Sequence, residues 1–150
     1  MMPNIPPAIR LPQLAVAYCS ALCVLLLVDG LWLGLLMGPM YARYLGDLLL
    51  EQPRWLPAIL FYLLYALGLL VFAIVPGLRA GNWRMVARLA ALLGLVAYGT
   101  YDLSNYSTLQ GWPLPLTLID IAWGAVLSGI SAVAAWLAAS RLKAAPGSGS

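Results

Sequence analysis

The chain has 150 residues, of which 63% are hydrophobic and 9% charged, with a mean hydropathy of +0.91 and a formal net charge of +3. A soluble domain carries about a quarter charged residues, so this composition excludes a water-soluble globular protein. The weak, scattered positive charge excludes nucleic-acid binding. With no histidine and only Cys19 and Cys23, which lie one helical turn apart, we expect neither a metal nor a cofactor.

Four apolar runs are long enough to cross a bilayer, which requires about 20 residues per helix. We place them near 14–37, 56–75, 85–109 and 114–139. Pro39 and Pro76 follow the first two runs, and Asn82 is a candidate N-cap for the third. The runs are too long for barrel strands and do not alternate. The sequence therefore predicts an all-α integral membrane protein, a four-transmembrane-helix bundle in one domain over 1–143, with a flexible tail at 144–150.

The distribution of basic residues predicts the orientation of this bundle. Six lie on one side of the predicted spans and two on the other: Arg10, Arg79, Arg84, Arg88, Arg141 and Lys143 against Arg43 and Arg54. We therefore expect a multi-pass protein of the bacterial inner membrane with both termini in the cytoplasm. The first outer loop places Tyr41 and Tyr44 at helical spacing, and we expect it to lie along the membrane surface.

Three of the five acidic residues lie inside predicted spans: Asp29, Asp102 and Asp120. A carboxylate at bilayer depth costs about 2.5–3.5 kcal/mol, and no basic residue lies inside any span to offset it. Counted from the predicted outer ends of their helices, all three lie roughly 9–12 Å deep. This agreement in depth predicts one polar chamber in the outer half of the bundle, where the carboxyl groups would share protons as a coupled set.

Aromatic and polar residues accompany the acids at the same level. Asp29 and Trp32 share one helix face, as do Asp120 and Trp123, because each pair is three residues apart. We predict catalytic or cation-stabilising roles for the three acids, and ligand-binding roles for Trp32, Tyr62, Tyr65, Tyr98, Tyr101, Asn105 and Trp123. The alternative is that these groups only hydrogen-bond neighbouring helices together.

Small residues recur every fourth position beside two of the acids. These stripes allow helices to approach closely in lipid, either within one chain or in a homodimer. They consist of Gly30, Gly34 and Gly38 in the first span, and Gly124, Ser128 and Ala132 in the fourth.

Several segments carry a family resemblance: 27–34, 61–65, 98–105, 111–113 and 120–124. They resemble a bacterial membrane family catalogued as domain of unknown function 2177, over about 14–136. The resemblance implies the four-helix organisation and favours lipid chemistry, but it implies no particular activity.

A fainter resemblance is to the four-helix group of sterol isomerases and the sigma-two receptor. It rests on the acid in the first span and on Gln52, Pro53 and Trp55 before the second. It also rests on the turn at 81–84 before the third. It implies an aromatic pocket for cationic amphiphiles. The chain has no histidine and no intramembrane glutamate, so no catalytic set is carried over.

Three functions are compatible with these patterns. The first is a pocket for a membrane lipid or lipophilic small molecule, in an isomerase-like or lipid-modifying enzyme. The second is a small proton-coupled transporter of cationic or lipophilic compounds. The third is a structural or accessory membrane subunit. Whether the protein is an enzyme is left open by the sequence.

Overall fold

The computed structural model describes residues 8–142, so the predicted tail at 144–150 lies outside them. Every regular element in this part of the chain is helical. The α-helices are α1 (Leu11–Leu31), α2 (Gly38–Leu45), α3 (Trp55–Leu69), α4 (Val75–Ala80), α5 (Trp83–Thr108) and α6 (Leu114–Ser140). They form four segments that are long and apolar enough to cross a membrane, which confirms the predicted number: Leu11–Leu48, Trp55–Ala80, Trp83–Thr108 and Leu114–Ser140.

The first two segments continue past the prolines at which the sequence analysis ended the spans. A π-helical stretch precedes each proline, Trp32–Met37 before Pro39 and Leu70–Ile74 before Pro76. Proline lacks an N–H group and its ring clashes with the carbonyl four residues earlier. The wider π turn shifts the hydrogen-bonding pattern by one residue, and the helix therefore resumes after each proline instead of stopping.

The connections between helices define the two ends of the bundle. The residues 49–54 and 109–113 form one end, here called the loop end. At the other end, Gly81 adopts a left-handed conformation and the Asn82 side chain accepts hydrogen bonds from two backbone N–H groups, as its predicted N-cap role requires. The Gln13 side chain donates to the carbonyl of Leu142, so α1 begins beside the end of α6.

Close packing of α5 against α6 is the central contact of the bundle. A Cβ added to Gly94 would lie 2.1 Å from the carbonyl oxygen of Gly124, so only glycine permits this approach. The stripe of Gly124, Ser128 and Ala132 is buried in this way. The stripe on α1 differs, because no atom lies within 4 Å of a Cβ on Gly30 or Gly34. A homodimer contact through it stays a prediction.

The bundle is apolar outside and holds polar groups inside. Large hydrophobic side chains such as Leu35, Leu64 and Phe72 are exposed on the helix surfaces. Fully buried positions instead include Asp102, Thr117 and several serine and alanine residues. This distribution suits lipid as the solvent, because polar side chains at membrane depth face the interior of a bundle.

Candidate carboxylate–aromatic site

A cavity of about 560 Å³ lies among the helices near the loop end. It is within the first ten residues of both α3 and α6. Its lining contains two acids, seven aromatic residues and no basic residue: Asp29, Trp32, Leu33, Tyr41, Ala58, Phe61, Tyr62, Ala97, Tyr98, Tyr101, Asp120 and Trp123. Acids and aromatic residues from all four membrane segments therefore form one cluster, and the roles predicted for them stay predictions.

Asp29 is brought into the cavity by the inward face of α1. Ala17, Ala21 and Leu25 precede it at four-residue spacing and are fully buried. Its Oδ2 accepts a hydrogen bond from the Tyr62 hydroxyl at 2.5 Å, and its Oδ1 accepts one from the Trp123 indole N–H at 2.9 Å. Two donors therefore hold one buried carboxylate, which reduces the cost of keeping its charge at this depth.

The indole rings of Trp32 and Trp123 stack on each other beside Asp29. Their centroids are 4.1 Å apart and their planes differ by 8°. The indole of Trp123 uses Asp29 of α1 as its acceptor, and not the Asp120 that shares its own helix face. The Trp32 nitrogen is buried and, among residues 8–142, has no hydrogen-bond partner. Trp32 therefore lines the cavity with its ring, while its buried N–H group is left unpaired among the described residues.

Asp120 also lines the cavity and is only 4% exposed. Its Oδ2 accepts a hydrogen bond from the hydroxyl of Tyr41 on α2. The sequence analysis missed Tyr41 as a site residue, because Pro39 ended the predicted span and placed this tyrosine in a surface loop. The π-helical stretch before Pro39 carries the helix onward and directs the ring to Asp120.

Asp102 does not line the cavity, although its predicted depth matches that of the other two acids. It is 0% exposed, and neither carboxyl oxygen has a hydrogen-bond partner in the described part of the chain. Asp102 lies on α5 and Asp120 on α6, the two helices that pack most closely against each other. The single chamber predicted for three acids therefore holds two, with the third buried beside Asp120.

Among the other residues predicted to bind a ligand, some line the cavity and others lie outside it. Tyr98 and Tyr101 line the cavity, whereas Tyr65 and Asn105 do not. The Tyr65 hydroxyl lies 2.6 Å from the Ser128 Oγ, which makes it a packing contact between α3 and α6. The lining also contains Leu33, Ala58, Phe61 and Ala97, which no sequence signal distinguished from core positions.

The cavity opens to the surface of the bundle on one side. Leu33, Phe61 and Tyr101 line it and yet are 40%, 43% and 58% exposed. These three residues, here called the rim, come from the first, second and third membrane segments. A bound molecule could therefore extend from the interior past the rim to the outside of the bundle.

Comparison with protein families places this architecture in a known group. The family described as predicted membrane protein, domain of unknown function 2177, matches residues 14–137. The chain belongs to this family. All of the lining residues fall within the matched range, so the cavity is part of the family's own domain. No curated protein and no solved structure matches the chain.

Chemically, the site of this family member combines two buried carboxyl groups with a mostly aromatic wall. The two carboxyls differ, because both oxygens of Asp29 accept hydrogen bonds whereas Asp120 accepts one, from Tyr41. Differing environments allow two carboxyls to take different proton-transfer roles or to bind a positively charged group. Phenol and indole faces add attraction for cations and apolar contact for hydrocarbon.

Proposed function

We propose that this protein binds a lipid-like amphiphile in the carboxylate–aromatic cavity, within a bacterial inner membrane and with both termini in the cytoplasm. The observation that carries the proposal is the combination of two buried acids and seven aromatic residues around one cavity at membrane depth. Intramembrane acids are functional by default, because their burial is costly and helix packing does not require them.

The dimensions of the cavity support a ligand of this kind. Its volume of about 560 Å³ lies in the range of pockets that hold small molecules. The exposed rim of Leu33, Phe61 and Tyr101 means that a long hydrocarbon chain need not fit entirely inside. The polar head of an amphiphile would lie between Asp29 and Asp120, and its chain would pass the rim into surrounding lipid.

Lipid modification or isomerisation is the enzymatic form of this proposal. In that form Asp29 and Asp120 would act as acid and base, or would stabilise a positive charge on the bound molecule. Proton-coupled transport is a second candidate. The specific observation in its favour is Asp102, a fully buried carboxyl without hydrogen-bond partners beside Asp120, which suits a group that takes up and releases a proton.

The test is to fill the cavity and analyse the lipid that co-purifies. Ala97→Phe adds an aromatic ring to the lining, and Ala58→Phe does so from a different helix. Ala15→Phe adds the same ring on the exposed face of α1 and is the matched control. After purification in a mild detergent, mass spectrometry should find a retained amphiphile in the wild type and the control.

The expected result is loss of that molecule from both cavity variants while thermal unfolding shows that they remain folded. An identical lipid profile in all four proteins would contradict ligand binding in the cavity. In that case the third function, a structural or accessory subunit, would be favoured.

A further inference from the structure

The cavity has an electrostatic imbalance that constrains its ligand. Its lining carries two carboxyl groups and no lysine or arginine. Within residues 8–142, no basic side chain pairs with Asp29 or Asp120, whose hydrogen-bond donors are neutral phenol and indole groups. Neutral donors lower the cost of a buried negative charge but do not cancel it. A bound molecule with a positive charge would cancel that negative charge.

The hydrogen bonds show which carboxyl has capacity for a ligand. Both oxygens of Asp29 are already occupied, by Tyr62 and Trp123. Asp120 differs, since Tyr41 occupies only Oδ2 and no described residue donates to Oδ1. Asp120 is nevertheless almost fully buried and part of the cavity wall. Its Oδ1 is therefore an acceptor that the protein itself leaves open inside the cavity.

Aromatic residues share the cavity wall with this acceptor. The Tyr98 ring is held against Gly124, one turn along α6 from Asp120, where a Cβ would lie 2.3 Å from the ring. Tyr98 lies within electrostatic range of both Asp120 and Asp29. Tyr101 completes the wall toward the rim. The negative face of an aromatic ring attracts cations, so these rings favour the same kind of head group as the carboxyl does.

We propose that the head group bound in this cavity is a single ammonium cation, received by Asp120 and the surrounding rings, on a molecule with a long hydrocarbon chain. This inference rests on the proposed function and adds the charge of the ligand. An anionic head would be repelled by both acids, and a neutral head would leave the buried negative charge uncompensated.

The experiment uses probes that share a twelve-carbon chain and differ in the head. They are dodecyltrimethylammonium, dodecylamine, dodecanol and dodecanoate. Binding to the full chain in maltoside micelles is measured by isothermal titration calorimetry. We expect the two ammonium probes to bind the wild type roughly tenfold more tightly than dodecanol, and dodecanoate to bind more weakly than dodecanol.

Substitutions show which residue causes the preference for the ammonium probes. Asp120→Asn should lose most of the preference for the ammonium probes over dodecanol, because only Asp29 and the rings remain, whereas Asp120→Glu should retain the preference. Asp47→Asn removes an acid from the exposed loop side of α2 and should behave as the wild type does. Equal gains for both ammonium probes indicate recognition of charge, and a larger gain for dodecylamine indicates a hydrogen bond to Asp120; either supports the proposal.

The two proposals fail differently. If dodecanol binds the wild type as tightly as the ammonium probes do, the cationic head is refuted while amphiphile binding stands. If none of the four probes binds, both are refuted. A preference for ammonium that is as large in Asp120→Asn as in the wild type would refute the assignment to Asp120. The comparison of the four probes on the wild type tests the charge of the head group even if a variant fails to fold.

Discussion

Replacing Gly94 with alanine tests whether the close approach of α5 and α6 holds the bundle together. The added Cβ would lie 2.1 Å from the carbonyl oxygen of Gly124 and 2.5 Å from the Ser128 Oγ. The first of these is a backbone atom that cannot rotate away. The two helices would therefore have to separate by roughly 1 Å at their closest point to restore ordinary contact.

The size of the effect follows from what that separation disturbs. Overpacking of this kind costs about 1–3 kcal/mol. The Ser128 hydroxyl bonds to the Gly124 carbonyl and contacts the Tyr65 hydroxyl, both at 2.6 Å, and weakening these bonds costs about 1 kcal/mol more. The better helix propensity of alanine returns about 0.5–1 kcal/mol. We expect a net loss of about 1–3.5 kcal/mol and a fall in Tm of roughly 2–14 °C.

The assay is thermal unfolding in detergent, followed by tryptophan fluorescence. Gly30→Ala is the matched control, because no atom lies within 4 Å of a Cβ at that position of α1. Its Tm should stay constant or rise slightly. The packing argument is refuted if Gly94→Ala unfolds at the wild-type temperature, or if Gly30→Ala loses as much stability as Gly94→Ala does.

Three further substitutions examine the acids and their donors. Asp102→Asn should leave Tm unchanged or raise it, because the substitution removes a fully buried acid whose oxygens accept no hydrogen bond in the described chain. A clear fall in Tm would contradict this argument. Asp29→Asn should cost about 1–3 kcal/mol in the same assay, because Tyr62 and Trp123 lose a charged acceptor. Tyr41→Phe should speed amide hydrogen exchange in α2, measured by mass spectrometry, since its hydroxyl ties that helix to Asp120; unchanged exchange would mean that the bond does not anchor α2.

The sequence predicted how far along each helix the site lies, but not which side chains point into it. Helix rise is constant, so counting residues from the ends of the spans brought Asp29, Asp120 and Tyr62 to one level. The direction of a side chain around the helix axis depends on how the helix is rotated by its neighbours. Asp102 has the right depth but lies beside the cavity, and Tyr65 reaches Ser128 instead.

Tyr41 shows a different reason for a missed residue. Proline ends most helices, so a reading from composition places everything after Pro39 outside the membrane segment. Whether a π turn allows the helix to continue past the proline depends on packing that the local sequence does not reveal. At this turn the Gly38 N–H donates to the Leu33 carbonyl five residues earlier, and a Cβ on Gly38 would lie 2.9 Å from that oxygen.

What the sequence by itself determined is the number of membrane-crossing helices, the family, and the presence of acids at an unfavourable depth. These depend on the cost of transferring each residue into lipid, which is local and adds along the chain. Only the tertiary structure decided which groups meet. Trp123 donates to Asp29 across 94 residues of sequence because α1 and α6 pack with those faces together. Contacts of that kind depend on helix rotation and on close backbone approach, and neither is encoded in any single segment.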